Sequence, residues 1–110
     1  MIIKNKEVIG TGIKVVAELK DKEIARGYLY FLHNDLHDKP FALMEDVFVD
    51  EEFRSQGVGK KIVHELIRVA KEKNCYKIIG TSRHSRGAVH NFYQDLGFEN
   101  YGLEFRMNLE

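Results

Sequence analysis

The sequence holds one cysteine, one proline and no tryptophan in 110 residues. With Cys75 alone, no internal disulfide can form, which is compatible with a reducing cytoplasm. Charge of one sign is also lacking. Lys plus Arg and Asp plus Glu number 17 each, for a formal net charge of zero. Binders of nucleic acid or anionic membrane usually carry a basic excess, so neither partner is expected. No apolar run approaches the roughly 20 residues of a membrane span. The opening residues Met1-Ile2-Ile3-Lys4-Asn5-Lys6 lack the apolar stretch of a secretory signal. The expectation is a cytoplasmic protein. Repeats, low-complexity tracts and Ser/Pro-rich linkers are absent too, which predicts one domain over residues 1–110.

What is present suits a globular fold: 44% hydrophobic and 31% charged residues. A chain of this length should bury roughly two-thirds of the surface its unfolded form exposes. Residues 13–20 and 23–32 read as strands, the second rich in aromatics, joined by Asp21-Lys22 as an antiparallel hairpin. A polar loop with the only proline follows, then a strand over 41–49. Strict alternation there sets Glu45, Val47 and Val49 on one face, and Asp46 and Phe48 on the other.

From residue 58 to about 73 the period becomes helical. Val58, Ile62, Leu66 and Val69 form the apolar stripe, and lysines, glutamates and Arg68 fill the wet side. A short strand over 76–80, a helix over 87–96 capped by Gly97, and a last strand over 101–109 complete the chain, with residues 1–8 as a possible extra strand. The fold class is α/β (α+β), a mixed sheet flanked by helices in the order β-β-β-α-β-α-β. The strand–helix–strand unit over 41–80 should be a right-handed crossover between parallel strands.

The most informative stretch is Val47-Phe48-Val49-Asp50-Glu51-Glu52-Phe53-Arg54-Ser55-Gln56-Gly57-Val58-Gly59-Lys60. A strand ends, a glycine turn follows, and a strong helix begins. Free amides and the helix dipole make such an entrance an anion site. Gly57 and Gly59 let a phosphate approach the backbone, and Arg54 and Lys60 can add charge. The dinucleotide pattern G-x-G-x-x-G fails, because Ile62 holds the third glycine's place. The nucleotide-triphosphate loop fails at position 54, which is Arg, and at Lys61. By itself the turn fits an ordinary helix entrance equally well.

Two stretches together resemble the GNAT acetyltransferase superfamily. Arg54-Ser55-Gln56-Gly57-Val58-Gly59 is similar to its [R/Q]-x-x-G-x-[G/A] signature. Ala88-Val89-His90-Asn91-Phe92-Tyr93-Gln94-Asp95-Leu96-Gly97-Phe98 is similar to its A-x-x-x-[F/L]-Y-x-x-x-G-F element. The resemblance covers roughly residues 13–109. It implies a splayed mixed sheet and acetyl-coenzyme A as co-substrate, with no metal. The backbone of Val47, Phe48 and Val49 would bond the pantetheine arm, and the amides from Gln56 to Lys60, including Gly57, Val58 and Gly59, would hold the pyrophosphate. Asn91 and Tyr93 would face the thiol end. The chain departs from the family twice. Ser85 stands where many members carry Asn, and the usual N-terminal helix pair is largely missing. A second subunit could complete the acceptor site.

Acetyl transfer to an amine needs a base, donors for an oxyanion and a proton for the leaving thiolate. The resemblance assigns the proton to Tyr93, whereas helix pattern alone reads Tyr93 as packing beside Phe92 and Phe98. Glu45 is the candidate base, with Asp46 an equal competitor, and the Val47 amide is the implied oxyanion donor. His33, Asp35, His37 and Asp38 share one polar loop but lack a zinc spacing, so no metal is expected. His64 reads as a surface residue, and His84 and His90 as structural. Arg83 and Arg86, with His84, form a small basic patch that could meet the cofactor's 3′-phosphate. Cys75 reads as a small apolar residue. Asp46, Asp50, Glu51 and Glu52 form either a wet turn or a lure for a cationic amine. The expected function is N-acetylation of an unidentified primary amine. Its alternatives are a non-catalytic acyl-coenzyme A binding or sensing module and a plain phosphate binder.

Overall fold

Two residues at positive φ, Lys20 (52°) and Asp21 (63°), close the first hairpin. That is the backbone a two-residue type I′ turn requires, and it matches the twist of the flanking strands. In the computed structural model, which describes residues 1–83 and 86–110, the hairpin joins β1 (Thr11–Leu19) to β2 (Lys22–Leu32). β3 (Phe41–Val49), a single 3-10 turn at Glu51–Phe53, α1 (Val58–Glu72), β4 (Ile78–Gly80) and α2 (Gly87–Asp95) follow. The chain divides into two units, Met1–Gly80 and Thr81–Glu110. Among the described residues no helix is long and apolar enough to cross a membrane.

In the first unit the strands stand in the order β1-β2-β3-β4. The first three are antiparallel and β4 lies parallel to β3, so the sheet is mixed, as expected. α1 covers one face. Its i, i+4 stripe buries Ile62, Val63, Leu66 and Ala70 against Ile24, Ala25, Leu29, Ala42 and Met44. Leu29, Leu66 and Val63 are fully buried, and each such side chain contributes about 2 kcal/mol. Gly27 lies directly beneath the helix. A Cβ there would come within 2.9 Å of both Ile62 Cγ2 and Leu66 Cδ1, so this glycine sets how closely α1 approaches β2.

In the second unit α2 ends in a Schellman motif. The Phe98 amide donates to the Tyr93 carbonyl and the Gly97 amide to the Gln94 carbonyl, both at 3.0 Å. Gly97 sits at φ 98°, as its reading as a cap anticipates. The rings of Tyr93 and Phe98, 5.5 Å apart, form the apolar contact that accompanies this motif.

Two expected strands do not form. Residues 101–109 and residues 1–8 carry no strand and stand exposed. Alternation specifies which side chains share a face, but a strand also needs a neighbour to take its amides and carbonyls. Among the described residues neither segment carries strand pairing.

Replacing Gly27 by alanine should force Ile62 and Leu66 off their packing and cost about 1–3 kcal/mol. A urea titration would read this as a lower midpoint with an unchanged slope. An unchanged midpoint would mean the glycine does not set the helix–sheet spacing.

Candidate active site

The sheet opens where β3 outruns β4. Their parallel pairing is confined to Ala42–Ile78, Leu43–Ile79 and Met44–Gly80. From Glu45 to Val49, β3 therefore has a neighbour on the β2 side only, among the described residues. That half-open stretch runs straight into the glycine turn.

A β-bulge interrupts β3 at this point. Tyr28 pairs with Glu45 and Arg26 with Phe48, so Gly27 alone faces both Asp46 and Val47. Asp46 takes φ 50° to accommodate the extra residue. The bulge resets the alternation, and the expected grouping of Glu45 with Val47 and Val49 does not hold. Residues directly opposite in a sheet share a face. Val49 faces the buried Ala25, and Val47 Cγ2 lies 3.6 Å from the Cβ position of Gly27, so both side chains are on the α1 face. Glu45 is on the other face with Tyr28, as Phe48 is with Arg26.

The bulge also separates the two candidate bases. Arg26 grips Asp46 through two hydrogen bonds, Nε to Oδ2 at 2.8 Å and Nη2 to Oδ1 at 3.2 Å. This charged bond holds the Asp46 carboxyl below its ordinary range, which makes it a poor proton acceptor. Glu45 is exposed and has no ion-pair or hydrogen-bond partner among the described residues. The guanidinium of Arg26 also lies 4.8 Å from the Phe48 ring centre.

Past β3, the Asp50 amide donates to the Ile24 carbonyl at 2.8 Å and pins the strand's end. Arg54 turns back. Its Nε donates to the Val49 carbonyl at 2.8 Å, and its guanidinium lies 5.2 Å from the Phe48 ring centre. Its charge thus sits beside the end of β3. Gln56 donates through Nε2 to the Glu52 carbonyl at 3.2 Å. Gly57 adopts the left-handed conformation at φ 81° and ψ 7° as the residue preceding α1. An added Cβ there would meet nothing within 4 Å, so the space beside the turn is open. The first intrahelical bond runs from the Lys61 amide to the Gly57 carbonyl. The amides of Val58, Gly59 and Lys60 precede it and have no acceptor inside the helix. No acidic residue stands in the first turn of α1 to compete for the positive end of its dipole.

In the second unit, Asn91 is exposed and Tyr93 half-buried on α2. The Tyr93 ring lies 5.6 Å from Phe92 and 5.5 Å from Phe98, so the packing anticipated for it is present. His90 is structural, with Nε2 2.7 Å from the Arg83 carbonyl. His84 and Ser85 lie outside the described residues. The histidines between β2 and β3 have structural work. His33 Nε2 is 3.0 Å from the His37 carbonyl, and His37 Nδ1 accepts from the Lys39 amide. The His37 ring stacks on Tyr76 at 4.1 Å. Among the described residues no group of three metal-ligating side chains converges. Burial pushes the Cys75 thiol up, which disfavours its thiolate. Two features escaped the sequence reading: the Arg26–Asp46 pair and the bulge itself. Neither has a local signal, since both depend on which residue lies across the sheet.

The Asp46 pairing carries a pH signature. Its folded pKa is lowered, so its stabilising effect is fully present above the ordinary 3.8 and is lost as pH falls through the lowered value. A carboxyl titration by NMR should find the Asp46 midpoint below that of a free aspartate, and Arg26→Gln should return it to the ordinary range. A midpoint indifferent to Arg26→Gln would remove the pair from the account of this site.

The profile of the Acetyltransferase (GNAT) domain matches residues 10–100. Glucosamine 6-phosphate N-acetyltransferase of Trypanosoma brucei brucei is 35% identical over 66 residues, 60% of this chain and 43% of that protein. Thialysine N-epsilon-acetyltransferase of Sus scrofa is 35% identical over 52 residues, 47% of this chain and 30% of that one. The matched stretches thus span less than half the length of these curated relatives. Among solved structures, glucosamine-6-phosphate N-acetyltransferase of Arabidopsis thaliana aligns with TM-score 0.81 at 26% identity, over 90% of this chain and 67% of that chain. With the half-open β3 edge, the left-handed glycine and the free helix amides in the family's order, the chain belongs to the GNAT acetyltransferase family.

Proposed function

We propose that this protein moves the acetyl group of acetyl-coenzyme A to the nitrogen of a primary amine. The observation that carries the reading is the continuity of the half-open β3 edge with the Gly57 turn and the α1 amides. A long ligand with amides at one end and phosphates at the other fits that sequence of groups. The backbone of Val47, Phe48 and Val49 can pair with the amides of the pantetheine arm, as an added strand pairs with a sheet edge. The amides from Gln56 to Lys60 can hold the pyrophosphate, with the Lys60 ammonium adding charge. The open space at Gly57 is where a phosphate would otherwise meet a Cβ.

Bound there, acetyl-coenzyme A supplies the thioester carbon that the amine attacks. A C–N bond forms, the C–S bond breaks, and the amine's proton must leave while the thiolate gains one. Glu45, exposed and unpaired, is the group proposed to take the amine proton, and the Arg26 clamp argues against Asp46. The Val47 amide, at the bulge, is proposed to donate to the oxygen that gains charge. Tyr93, with Asn91 beside the thiol, is proposed to protonate the departing sulfur. The curated relatives are named for an amino sugar and a lysine analogue, which supports an amine acceptor without choosing one. The zero net charge and the lone Cys75 support the same reading in a cytoplasmic setting. A second reading, acyl-coenzyme A binding without turnover, draws on the packing of Tyr93 between Phe92 and Phe98.

Tyr93→Phe separates the two readings, because it keeps the ring contacts and removes only the hydroxyl. As the acid, Tyr93 should cost about 100-fold or more in kcat when so replaced, with acetyl-coenzyme A affinity unchanged. Full turnover in the variant would refute the assignment. The site itself is tested by thermal shift. At about 100 times its dissociation constant, acetyl-coenzyme A should stabilise the fold by about 2.7 kcal/mol, whereas ATP should do little. Gly57→Ala should weaken that binding by about tenfold through strain at its positive φ. No shift with acetyl-coenzyme A would end the enzyme reading.

A further inference from the structure

Arg26 reaches beyond its own place in the sheet. Its facing residue on β3 is Phe48, yet its guanidinium forks onto Asp46, Nε to Oδ2 at 2.8 Å and Nη2 to Oδ1 at 3.2 Å. The same guanidinium stands 4.8 Å from the Phe48 ring centre. One planar group on the far face of the sheet therefore meets both chain neighbours of Val47. Val47 itself turns to the α1 face, its Cγ2 3.6 Å from the Cβ position of Gly27. The side chains of the pair are 33% and 53% exposed, and ion pairs this exposed do little for global stability. What the fork fixes is local. It holds Asp46 at φ 50°, a conformation that residues other than glycine take at a cost.

We propose that Arg26 is a positioning residue for acetyl transfer: by clamping Asp46 and covering Phe48, it aims the Val47 N–H at the thioester oxygen. The inference rests on the proposed role of that amide as the oxyanion donor. An N–H points where its peptide plane points, and the Val47 N–H lies in the plane shared with Asp46, the residue that Arg26 holds. A backbone donor has no rotamer with which to search, so its aim must be built into the chain. At the bulge the register gives Val47 no facing residue of its own, since Gly27 faces both it and Asp46. The aim matters because a donor stabilises the developing charge only when already directed at it. A misplacement of about 1 Å can cost about 100-fold in rate. In this role Arg26 acts through Asp46 and need touch neither the acetyl group nor the amine. Its charge is no substitute for that role, because the carboxylate held against it largely cancels it at a distance.

Infrared spectroscopy of acetyl-coenzyme A, isotopically labelled at the carbonyl carbon and bound to the whole chain, reads this aim without any amine present. A hydrogen bond to the thioester oxygen lowers the carbonyl stretching frequency. Arg26→Gln should raise that frequency above its value on the unsubstituted protein, with acetyl-coenzyme A affinity unchanged. Arg26→Lys keeps the charge but loses the fork, and should raise it as well. Asp46→Asn, which weakens the fork and frees the guanidinium charge, should raise it too. Direct action of the Arg26 charge on the thioester predicts the opposite sign for Asp46→Asn. A carbonyl frequency indifferent to Arg26→Gln and Arg26→Lys, or lowered by Asp46→Asn, would overturn the positioning role and leave the acetyl-coenzyme A site standing. Failure of the unsubstituted protein to bind acetyl-coenzyme A would remove that site and this inference together.

Discussion

The seating of α1 on β2 is the contact from which the rest of the first unit follows. Leu66 and Ile62 descend onto the sheet at Gly27, where a single added carbon would collide with both. The helix is thereby held close, and its first turn is held near the end of β3. An anion site made of backbone amides has no side chain to adjust its reach. Its position depends wholly on where the helix starts, and that depends on the packing beneath its middle.

The same glycine stands opposite the β3 bulge. Two residues of β3, Asp46 and Val47, face the one residue Gly27, so the bulge and the close approach share a place in the sheet. The consequence is chemical as well as geometric. An unbroken strand would have set Asp46 opposite Gly27 on the helix face and Val47 opposite Arg26. The extra residue instead turns Val47 toward the helix and leaves Asp46 to Arg26. Of two adjacent carboxylates, Asp46 is thereby held by the guanidinium below its ordinary range, while Glu45 stands exposed on the same face. Phe48 lies near the guanidinium groups of both Arg26 and Arg54, and the Arg54 bond to the Val49 carbonyl ties the turn back to the strand.

The second unit shows local order set by local chemistry. Gly97 at positive φ, the two reverse hydrogen bonds and the Tyr93–Phe98 contact form one capping device within a few residues. Tyr93 therefore serves the helix end whether or not it also moves a proton.

The residues themselves determined the elements whose signals are local. The bounds of β3, the existence of the first hairpin (though its turn falls at Lys20-Asp21, one residue before the expected Asp21-Lys22), the stripe of α1 and the Gly97 cap all follow from side-chain period or backbone preference within a few positions. The glycine turn before α1 was legible for the same reason: an amide-lined helix entrance is built from consecutive residues. Whether β3 alternates without interruption, which carboxylate Arg26 takes and where Arg54 points were not legible. Each depends on a residue distant in sequence and across a sheet, and register is decided only when strands meet under a helix. The sequence names the groups able to do the chemistry, and tertiary pairing decides which of them are left free to do it.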